Sequence, residues 1–354
     1  MKARMQRRHS VGDFESRVVR AGALDPAEVS AWEELCTSVD GLASPFFSPH
    51  FSRAMAAVRR HVFVCIIRRN AKPVAFLPFE FRNRGYYLLR AAERVGAEMS
   101  DYFGVVARPE IRLSPTTLLR LAGISAIEFT HLDESQVRYG LTGERPETGL
   151  VVRLRSGVSP WGEICRRERK FIADTERLER QLVGAEGPLR FVPEETGTDA
   201  LERLMHWKGQ QYVKTGRPNL FLARWRKELL HELSRTQMES CTGVLSSLYA
   251  GDHWLASHFG LRSRTVLHYW FPVYNPDFSR YSPGRLLEKY LLEYAASRGI
   301  EMFDLGAGDS SSKRKIANAE HSYYRSVWYA RDVRGFVGRA VHSAAWRVAA
   351  LQGS

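Results

Sequence analysis

Two glycine-containing turns in the last quarter of the sequence carry residue types that could hold a phosphate group. One reads Ser282-Pro283-Gly284-Arg285, and the other reads Asp304-Leu305-Gly306-Ala307-Gly308-Asp309. Glycine lets a ligand approach the backbone closely, and backbone N–H groups, serine and arginine bind phosphate oxygens. The turn that begins a helix is the stronger candidate, because a helix start presents unpaired N–H groups and the positive end of the helix dipole.

The turn at Ser282 is predicted to begin an amphipathic helix over residues 283–298. Ser282 would be its N-cap and Pro283 its first residue, and Gly299 follows its end. Arg285 stands at the third position, where many helices carry a glutamate that fills their own N-terminus. We expect this helix start to receive an external anion such as a pyrophosphate. An ordinary capped helix is the alternative.

The turn at Asp304 is similar to the D-x-G-x-G motif of methyltransferases that bind S-adenosylmethionine. In that fold the motif follows the first strand, and several more strands come after it. Too few residues follow Asp309 to build such a sheet, and the next segment would make a poor apolar helix. The methyltransferase interpretation is therefore disfavoured.

Composition excludes several classes of protein. The chain has 354 residues, of which 44% are hydrophobic, and this favours one large or two ordinary folded domains. The four cysteines lie far apart without a CxxC pair, which argues against a disulfide framework or a metal site. No apolar run is long enough for a membrane span, and the N-terminus lacks the apolar stretch of a signal peptide. We expect a cytoplasmic protein without a metal.

The charge of the chain predicts an anionic ligand but does not identify it. The formal net charge is +13, and a basic surface attracts nucleotides, acidic glycans, anionic lipids or nucleic acid. The arginines are spread over the whole chain, so charge alone selects none of these. Neither zinc-finger spacing nor an RNA-binding aromatic motif is present, and no nucleic-acid partner is expected.

Local signals predict the elements that must position the two turns. Capping residues and apolar spacing predict helices that begin at Asp25-Pro26, Ser48-Pro49, Ser114-Pro115, Ser159-Pro160 and Thr198. The helix after Pro160 is predicted to run unbroken past Leu182. Apolar runs predict strands over residues 61–67, 74–81, 126–131, 151–154, 244–249, 254–261 and 265–274.

The two halves of the chain look alike. Each has helices, then a pair of strands, then a Ser-Pro-x-x-Leu-Leu helix start, which is at Ser114 in the first half and at Ser282 in the second. A tandem duplication would explain the match, and chance is the alternative because the match is short. Thr116 stands in the first copy where Gly284 stands in the second, so only the second copy is expected to bind the anion.

The order of strand, SPG turn, helix and then GIEMFDLGAGDSSSKRKIA resembles the GNAT acyltransferase superfamily. More narrowly, it is similar to the branch named for the CelD cellulose-biosynthesis protein, which is related to the FemAB peptidyltransferases. Further segments similar to that branch are SPFFSPHFSRAM, VAFLPFEFR and SDYFGVV in the first half and HWKGQQY in the second. The resemblance covers residues 40–330. One departure is Ser312, where an aromatic residue commonly precedes the lysine.

The resemblance implies an α/β (α+β) chain with a tandem GNAT-like acyl-CoA N-acyltransferase fold, in which mixed central sheets are flanked by helices. We therefore predict a basic N-terminal segment (1–24), a degenerate N-terminal GNAT-like domain (25–150), a C-terminal GNAT domain with the acyl-CoA site (151–332) and a C-terminal amphipathic helix (333–354). That last helix could pack on the protein or lie on an anionic membrane. We favour packing, with at most weak membrane association.

The resemblance also implies the co-substrate and its site. Acyl-CoA, in the simplest case acetyl-CoA, would lie in the cleft between the fourth and fifth strands of the GNAT fold, here 265–274 and 300–305. Its pyrophosphate would sit on the start of the following helix. The residues expected to contact it are Ser282, Pro283, Gly284, Arg285 and Leu286.

Acyl transfer also needs a base that removes the proton of the acceptor. His258 is the first candidate, because it alternates with apolar residues and could project into the cleft near a neutral pKa. His268 is the second candidate, and Asp304 could orient His258. A structural histidine is the alternative for His258. The expected acceptor-binding residues are Asp101, Tyr102, Lys208, Asp309 and Lys313, for which turn, packing and salt-bridge roles are the alternatives.

The predicted function is a cytoplasmic acyltransferase that moves an acyl group from acyl-CoA to an amine or hydroxyl. The acceptor would be a small molecule or a glycan in polysaccharide or envelope biosynthesis. One alternative is a FemAB-like transferase that uses aminoacyl-tRNA, although no inserted helical hairpin of that branch is apparent. Another is a non-catalytic scaffold of a glycan-synthesis complex. The sequence leaves the oligomeric state open.

Overall fold

The computed structural model describes residues 7–330. The strands are β1 (Arg7–Val11), β2 (Phe14–Arg20), β3 (Val62–Arg69), β4 (Lys72–Glu80), β5 (Ala91–Glu93), β6 (Val106–Ala107), β7 (Ala126–Asp133), β8 (Arg145–Arg153), β9 (Leu189–Val192), β10 (Gln237–Met238), β11 (Cys241–Ala250), β12 (His253–Arg262), β13 (Val266–Tyr274), β14 (Met302–Ala307) and β15 (Ala319–Tyr329). The helices are α1 (Pro26–Ser38), α2 (Pro49–Val58), α3 (Arg84–Leu89), α4 (Pro115–Ala122), α5 (Pro160–Arg167), α6 (Arg169–Glu186), α7 (Thr198–Lys214), α8 (Arg224–Ser234), α9 (Pro283–Ser297) and α10 (Ser311–Ile316).

The described chain divides into two compact units. Unit 1 comprises residues 7–42, 46–147 and 322–330, and unit 2 comprises residues 43–45 and 148–321. Apart from the short segment 43–45, the chain leaves unit 1 at residue 148 and returns to it at residue 322. Most of β15 therefore lies in unit 1, whereas the sequence analysis assigns it to the C-terminal domain. The helix predicted at 333–354 lies outside the described residues.

Unit 1 is built on a mixed sheet with the strand order β1-β2-β3-β4-β5-β7-β15. The first four strands are antiparallel neighbours, β5 is parallel to β7, and β15 is antiparallel to β7. Asn70 and Ala71 both have positive φ angles (51° and 62°) and form the tight β3–β4 turn. Such φ angles suit the right-handed twist of a hairpin. The basic N-terminal segment thus includes a hairpin, β1–β2, that pairs with β3.

In unit 2 the strands are hydrogen bonded in the order β8-β14-β13-β12-β11-β10. Strands β10 to β13 form an antiparallel meander, β14 is parallel to β13, and β8 is antiparallel to β14. Helices α5, α6 and α9 share one apolar core with this sheet. Helix α7 packs against β12 and β13, and α8 packs against β11. Both units therefore consist of a mixed sheet flanked by helices, and the predicted fold class is confirmed.

Helix starts follow the sequence signals closely. Asp25 and Glu28 form the predicted capping box of α1. Helices α2, α4 and α5 begin with Ser-Pro, and the serines at 48, 114 and 159 cap them. Thr198 is the first residue of α7 rather than its cap, which is Gly197. The single helix predicted after Pro160 is wrong. It breaks at Glu168, whose φ and ψ of −122° and 50° are not helical, and this yields α5 and α6.

The described helices were compared with the length and composition of a membrane span. Among the helices between residues 7 and 330, none combines the length and the apolar character that crossing a bilayer requires.

Gly243 fixes how closely α8 approaches the sheet of unit 2. A Cβ atom at Gly243 would overlap the carbonyl group of Leu233 at the end of α8. We therefore predict that Gly243→Ala lowers the free energy of unfolding by about 2 kcal/mol or more, because the backbone must shift. Chemical denaturation measures this loss.

Gly184→Ala is the matched control. Gly184 lies in α6 with open space where a Cβ would stand, so alanine should be neutral or should stabilise by up to about 1 kcal/mol. Equal effects of the two substitutions would contradict the close contact between α8 and β11.

Candidate active site

The two parallel strands of unit 2 separate part-way along their length. Strands β13 and β14 pair at Val266–Met302, Leu267–Phe303 and His268–Asp304. After that point β13 continues beside β12 as far as Tyr274, while the end of β14 pairs with β8. A fork therefore opens beyond His268 and Asp304. Strand edges that face such an opening offer backbone N–H and C=O groups to a ligand.

A β-bulge lies beside this fork. Phe259 is opposite Phe271 and Leu261 is opposite His268, so β13 has one more residue than β12 between these pairs. Gly260 lies inside the bulge, where a Cβ would be 2.5 Å from Nε2 of His258 and would overlap the His268 carbonyl oxygen. Only glycine fits there. Bulges of this kind turn side chains and backbone groups toward functional sites.

Helix α9 begins after the fork, and no side chain caps it. Its N-cap, Ser282, is in the left-handed region with φ 52° and ψ 53°, and its hydroxyl makes no capping bond. The N–H groups of Arg285 and Leu286 both donate to the Ser282 carbonyl, at 3.0 and 3.3 Å. A Cβ at Gly284 would meet only Tyr274, at 3.7 Å. The fold itself therefore does not require glycine at this position.

The corresponding start of α4 in unit 1 is filled by its own cap. Ser114 has an extended backbone, and its Oγ accepts a hydrogen bond of 3.1 Å from the Thr117 N–H. The two Ser-Pro starts therefore differ in conformation as well as in sequence. Of these two starts, that of α4 has a side-chain acceptor in its first turn and that of α9 has none.

Arg285 is directed toward α6. Its Nη1 lies 3.0 Å from Oδ2 of Asp174 and 3.3 Å from the hydroxyl of Thr175. Its guanidinium also lies 4.5 Å from the ring centroid of Phe171. Hydrogen bonds from Arg177 and Arg285 lower the pKa of Asp174. Binding of a pyrophosphate by Arg285 would therefore replace or extend a partly exposed ion pair.

His258 is fully buried and packed on all sides. Its Nε2 accepts a hydrogen bond of 3.3 Å from the Trp270 N–H, and its ring stacks on Tyr269 with the centroids 4.7 Å apart. Burial, followed by the neighbouring His268, lowers its pKa to about 3. A histidine that gives up its proton so readily is a weak base. This geometry corresponds to the structural alternative for His258.

Asp304 is also fully buried, and it pairs with His268 rather than with His258. Its Oδ2 lies 3.0 Å from Nδ1 of His268, and its Oδ1 accepts a hydrogen bond of 2.8 Å from the Gly306 N–H. The expectation that Asp304 orients His258 therefore differs from the observed geometry. The pair joins β13 to β14 at the last residues before the fork.

Lys208 has a pKa that is lowered toward neutrality. It lies on α7, and its Nζ donates to the Pro272 carbonyl of β13 at 2.7 Å and to the Gln211 side chain at 2.9 Å. Burial, with a contribution from the charge of Arg217, lowers its pKa to about 8. Lys208 thus places a titratable amine at the part of β13 that lies beyond the bulge.

Glu288 and Tyr269 form a pair that the sequence analysis missed. The Tyr269 hydroxyl hydrogen bonds to Glu288, which lies on α9 near its start. Burial raises the pKa of Glu288 to about 7, while the charges of Arg285 and Lys313 oppose this shift. The pKa of Tyr269 is raised well above 10, also by burial. The pair could be found only once α9 was known to pack against β13.

The remaining residues of the end of β14 have local partners. Asp309 binds Arg314 through both carboxylate oxygens, at 2.5 and 2.6 Å. Lys313 donates to the Ala307 carbonyl at 2.9 Å. Both residues hold the turn that follows β14, and their acceptor-binding role stays a prediction.

Asp101 and Tyr102 belong to unit 1. Tyr102 is buried, and its ring packs against Phe46, Phe47 and Tyr323. This is the packed-tyrosine alternative of the sequence analysis. A role of either residue in binding an acceptor stays a prediction.

The described part of the chain contains no cluster of side chains that could bind a metal ion. Between residues 7 and 330, no group of three or more histidine, cysteine, aspartate or glutamate side chains is placed to hold an ion.

The raised pKa of Glu288 predicts how stability depends on pH. Above about pH 7 the carboxylate is ionised and the fold bears the cost of burying its charge. Below pH 4.5 it is neutral in both the folded and the unfolded state. Glu288→Gln should therefore raise the free energy of unfolding by roughly 1–3 kcal/mol at pH 8 and change it little at pH 4.5. Denaturation at the two pH values measures this, and an equal effect at both would contradict the buried charge.

Comparison with known proteins shows what this part of the chain is similar to. Residues 169–314 match the family model of the acetyltransferase (GNAT) domain. The solved structure of FemX is similar, with 9% identity, a TM-score of 0.56 and coverage of 84% of this chain and 94% of that chain. L-PGS from Bacillus licheniformis is also similar, with 13% identity, a TM-score of 0.51 and coverage of 91% and 97%. A search of curated proteins found no match.

At such low identities the likeness to solved structures concerns the fold alone. The family match covers the fork, the bulge and the start of α9, which are the features described above. Residues 169–314 thus match the GNAT acetyltransferase domain, and the fold of the chain is similar to that of FemX.

Proposed function

We propose that the protein transfers an acyl group from acyl-CoA, in the simplest case acetyl-CoA, to an amine or hydroxyl acceptor. The observation that carries this proposal is the combination of a fork between β13 and β14 with an uncapped helix start directly after it. The donor would lie in the fork, and the acceptor would approach from the side of α7.

The donor site divides into two parts with different chemistry. The pyrophosphate of the donor would bind the start of α9, where N–H groups and the helix dipole favour an anion and Gly284 leaves room. The amide-containing arm of the donor would pair with the open edge of β13, as a further strand would. This arrangement directs the thioester toward the bulge in β13.

The reaction requires one proton to leave the acceptor and one to reach the leaving thiol. The acceptor nitrogen or oxygen attacks the thioester carbonyl, the C–S bond breaks, and CoA departs as a thiol. Lys208 is our candidate for the base. Its pKa of about 8 leaves a useful fraction of neutral amine at physiological pH. His258, with a pKa of about 3, is much less suited.

The class of acceptor rests on the sequence resemblance to the CelD branch. We propose a glycan or small molecule of polysaccharide or envelope assembly as the acceptor, modified in the cytoplasm. An aminoacyl-tRNA donor is the second candidate, because the fold is shared with FemX and the net charge of +13 suits a polyanion. Calorimetry with CoA and with tRNA separates the two donors, and binding of neither would favour a scaffold.

Gly284 offers a direct test of the donor site. We predict that Gly284→Asp abolishes CoA binding without unfolding the protein, because it adds bulk and negative charge where the pyrophosphate would lie. The fold should accept the change, since the nearest atom to a Cβ there is 3.7 Å away. Isothermal titration calorimetry with CoA measures binding, and circular dichroism checks the fold.

Thr116→Asp, at the corresponding position of α4, is the matched control and should leave CoA binding unchanged. The wild-type protein should bind one CoA per chain. Unchanged affinity in a folded Gly284→Asp variant, or two sites per chain, would refute this donor site.

Lys208 should determine the pH dependence of the reaction. Since the neutral amine is the active form, the rate should rise with pH and level off above about pH 8. Lys208→Met should lower kcat by roughly 10²–10⁴-fold, and Lys208→Arg should not restore it, because a guanidinium does not lose its proton. Thiol release from acetyl-CoA with an accepted substrate measures the rate.

Lys72→Met, which removes an exposed lysine of unit 1, is the control and should keep the wild-type profile. A Lys208→Met variant with normal kcat and an unchanged pH profile would exclude Lys208 as the base.

A further inference from the structure

The segment between the end of α7 and the start of α8 presents apolar side chains to solvent. Leu222 is 83% exposed and Val213 is 66% exposed, which makes Leu222 the most exposed of the large apolar residues among those described. Both lie on the stretch 213–227, which we call the Val213–Lys227 surface. Scattered exposed leucines are ordinary, so the surroundings of these two decide what they mean.

The surroundings are strongly basic. Residues 213–227 include five cationic side chains and no acidic one, namely Lys214, Arg217, Arg224, Arg226 and Lys227. Arg224 lies 2.7 Å from Glu228, and Lys227 lies 3.8 Å from Glu202, both outside the stretch. The four side chains are between 42% and 91% exposed. Exposed ion pairs of this kind are weak and open to exchange. The surface therefore combines protruding apolar groups with a surplus of positive charge.

Buried anchors hold the Val213–Lys227 surface in place. Phe221 is buried, and its ring packs 5.5 Å from that of Phe271 in β13. The Asn219 side chain accepts the Phe221 N–H at 2.9 Å and packs so tightly on Gly209 that a Cβ there would lie 2.6 Å away. Because its neighbour Phe221 is fixed inward, Leu222 is presented outward by a rigid turn.

Such a charge could bind either RNA or an anionic bilayer, and the exposed leucine and valine favour one of the two. RNA is held through its phosphates and by stacking on aromatic rings, and an exposed leucine gains little from either contact. A bilayer takes apolar side chains into its acyl boundary while cations bind its anionic headgroups, and tryptophan such as Trp225 is typical of that boundary. We infer that the Val213–Lys227 surface docks reversibly on an anionic phospholipid bilayer.

The position of this surface gives the docking a consequence for the site. Phe221 packs on Phe271, which directly precedes Pro272, the residue whose carbonyl holds Lys208. Docking would therefore bring the α7 side of the candidate site close to the headgroups, where an acceptor carried by a lipid is presented. This consequence rests on the proposed function, whereas the docking itself does not.

Flotation of the full-length protein with vesicles tests the inference without donor or acceptor. Binding is expected to vesicles that contain phosphatidylglycerol, not to phosphatidylcholine alone, and to weaken about tenfold at high salt. Val213→Ser combined with Leu222→Ser should weaken binding about tenfold or more, and so should Lys214→Gln combined with Arg217→Gln. Val183→Ser, which changes an exposed valine of α6, is the control and should bind as the wild type does.

Three results would overturn the inference. One is no binding to vesicles that contain phosphatidylglycerol. Another is binding that persists in the Val213→Ser, Leu222→Ser variant and disappears only when residues 334–354 are removed. The third is tight binding of an RNA hairpin that depends on Arg217 but not on Leu222. Because no step of the test uses acyl-CoA, its failure would leave the proposed function untouched.

Discussion

The arrangement of the site depends on one buried contact, between His268 and Asp304. It lies at the last pair of the parallel ladder, with both side chains fully buried and 3.0 Å apart. Asp304 also accepts the Gly306 N–H, so both of its oxygens have partners, as a buried carboxylate requires. The contact joins β13 and β14 at the last pair of their ladder, and the fork begins where that pairing stops.

The other groups of the site fall into two sets, one carried by strands and one carried by helices. His258 is fixed inside the sheet by the Trp270 N–H and the ring of Tyr269, and its low pKa keeps it neutral. Lys208 and Glu288 stand on the two helices that flank β13, and both titrate near neutrality because of burial. The rigid part of the site is thus made of strands, and the groups that can exchange protons are supplied by helices. This division suits catalysis, which needs fixed geometry and a movable proton.

Local signals in the sequence predicted most of the architecture, and long-range contacts explain what they missed. Serine-proline helix starts and apolar strands could be predicted because each depends on neighbouring residues. The partner of Arg285 could not, because Asp174 is distant in sequence and meets it only when α6 packs against α9. The Tyr269–Glu288 pair and the Asp304–His268 contact were missed for the same reason. The break at Glu168 was missed for a different reason. The apolar spacing of a helix continues across Glu168, although the backbone of this residue is not helical.

The return of the chain to unit 1 determines the order in which the protein can be completed during synthesis. Strand β7 pairs with β15, and β15 leaves the ribosome only after nearly all of unit 2. At translation rates of about 5–20 residues per second, β7 waits on the order of ten seconds or more with one edge unpaired. An open strand edge is a template for pairing with other chains. The nascent protein therefore passes through a stage, set by the time needed to synthesise unit 2, in which the open edge of β7 is exposed to misassembly.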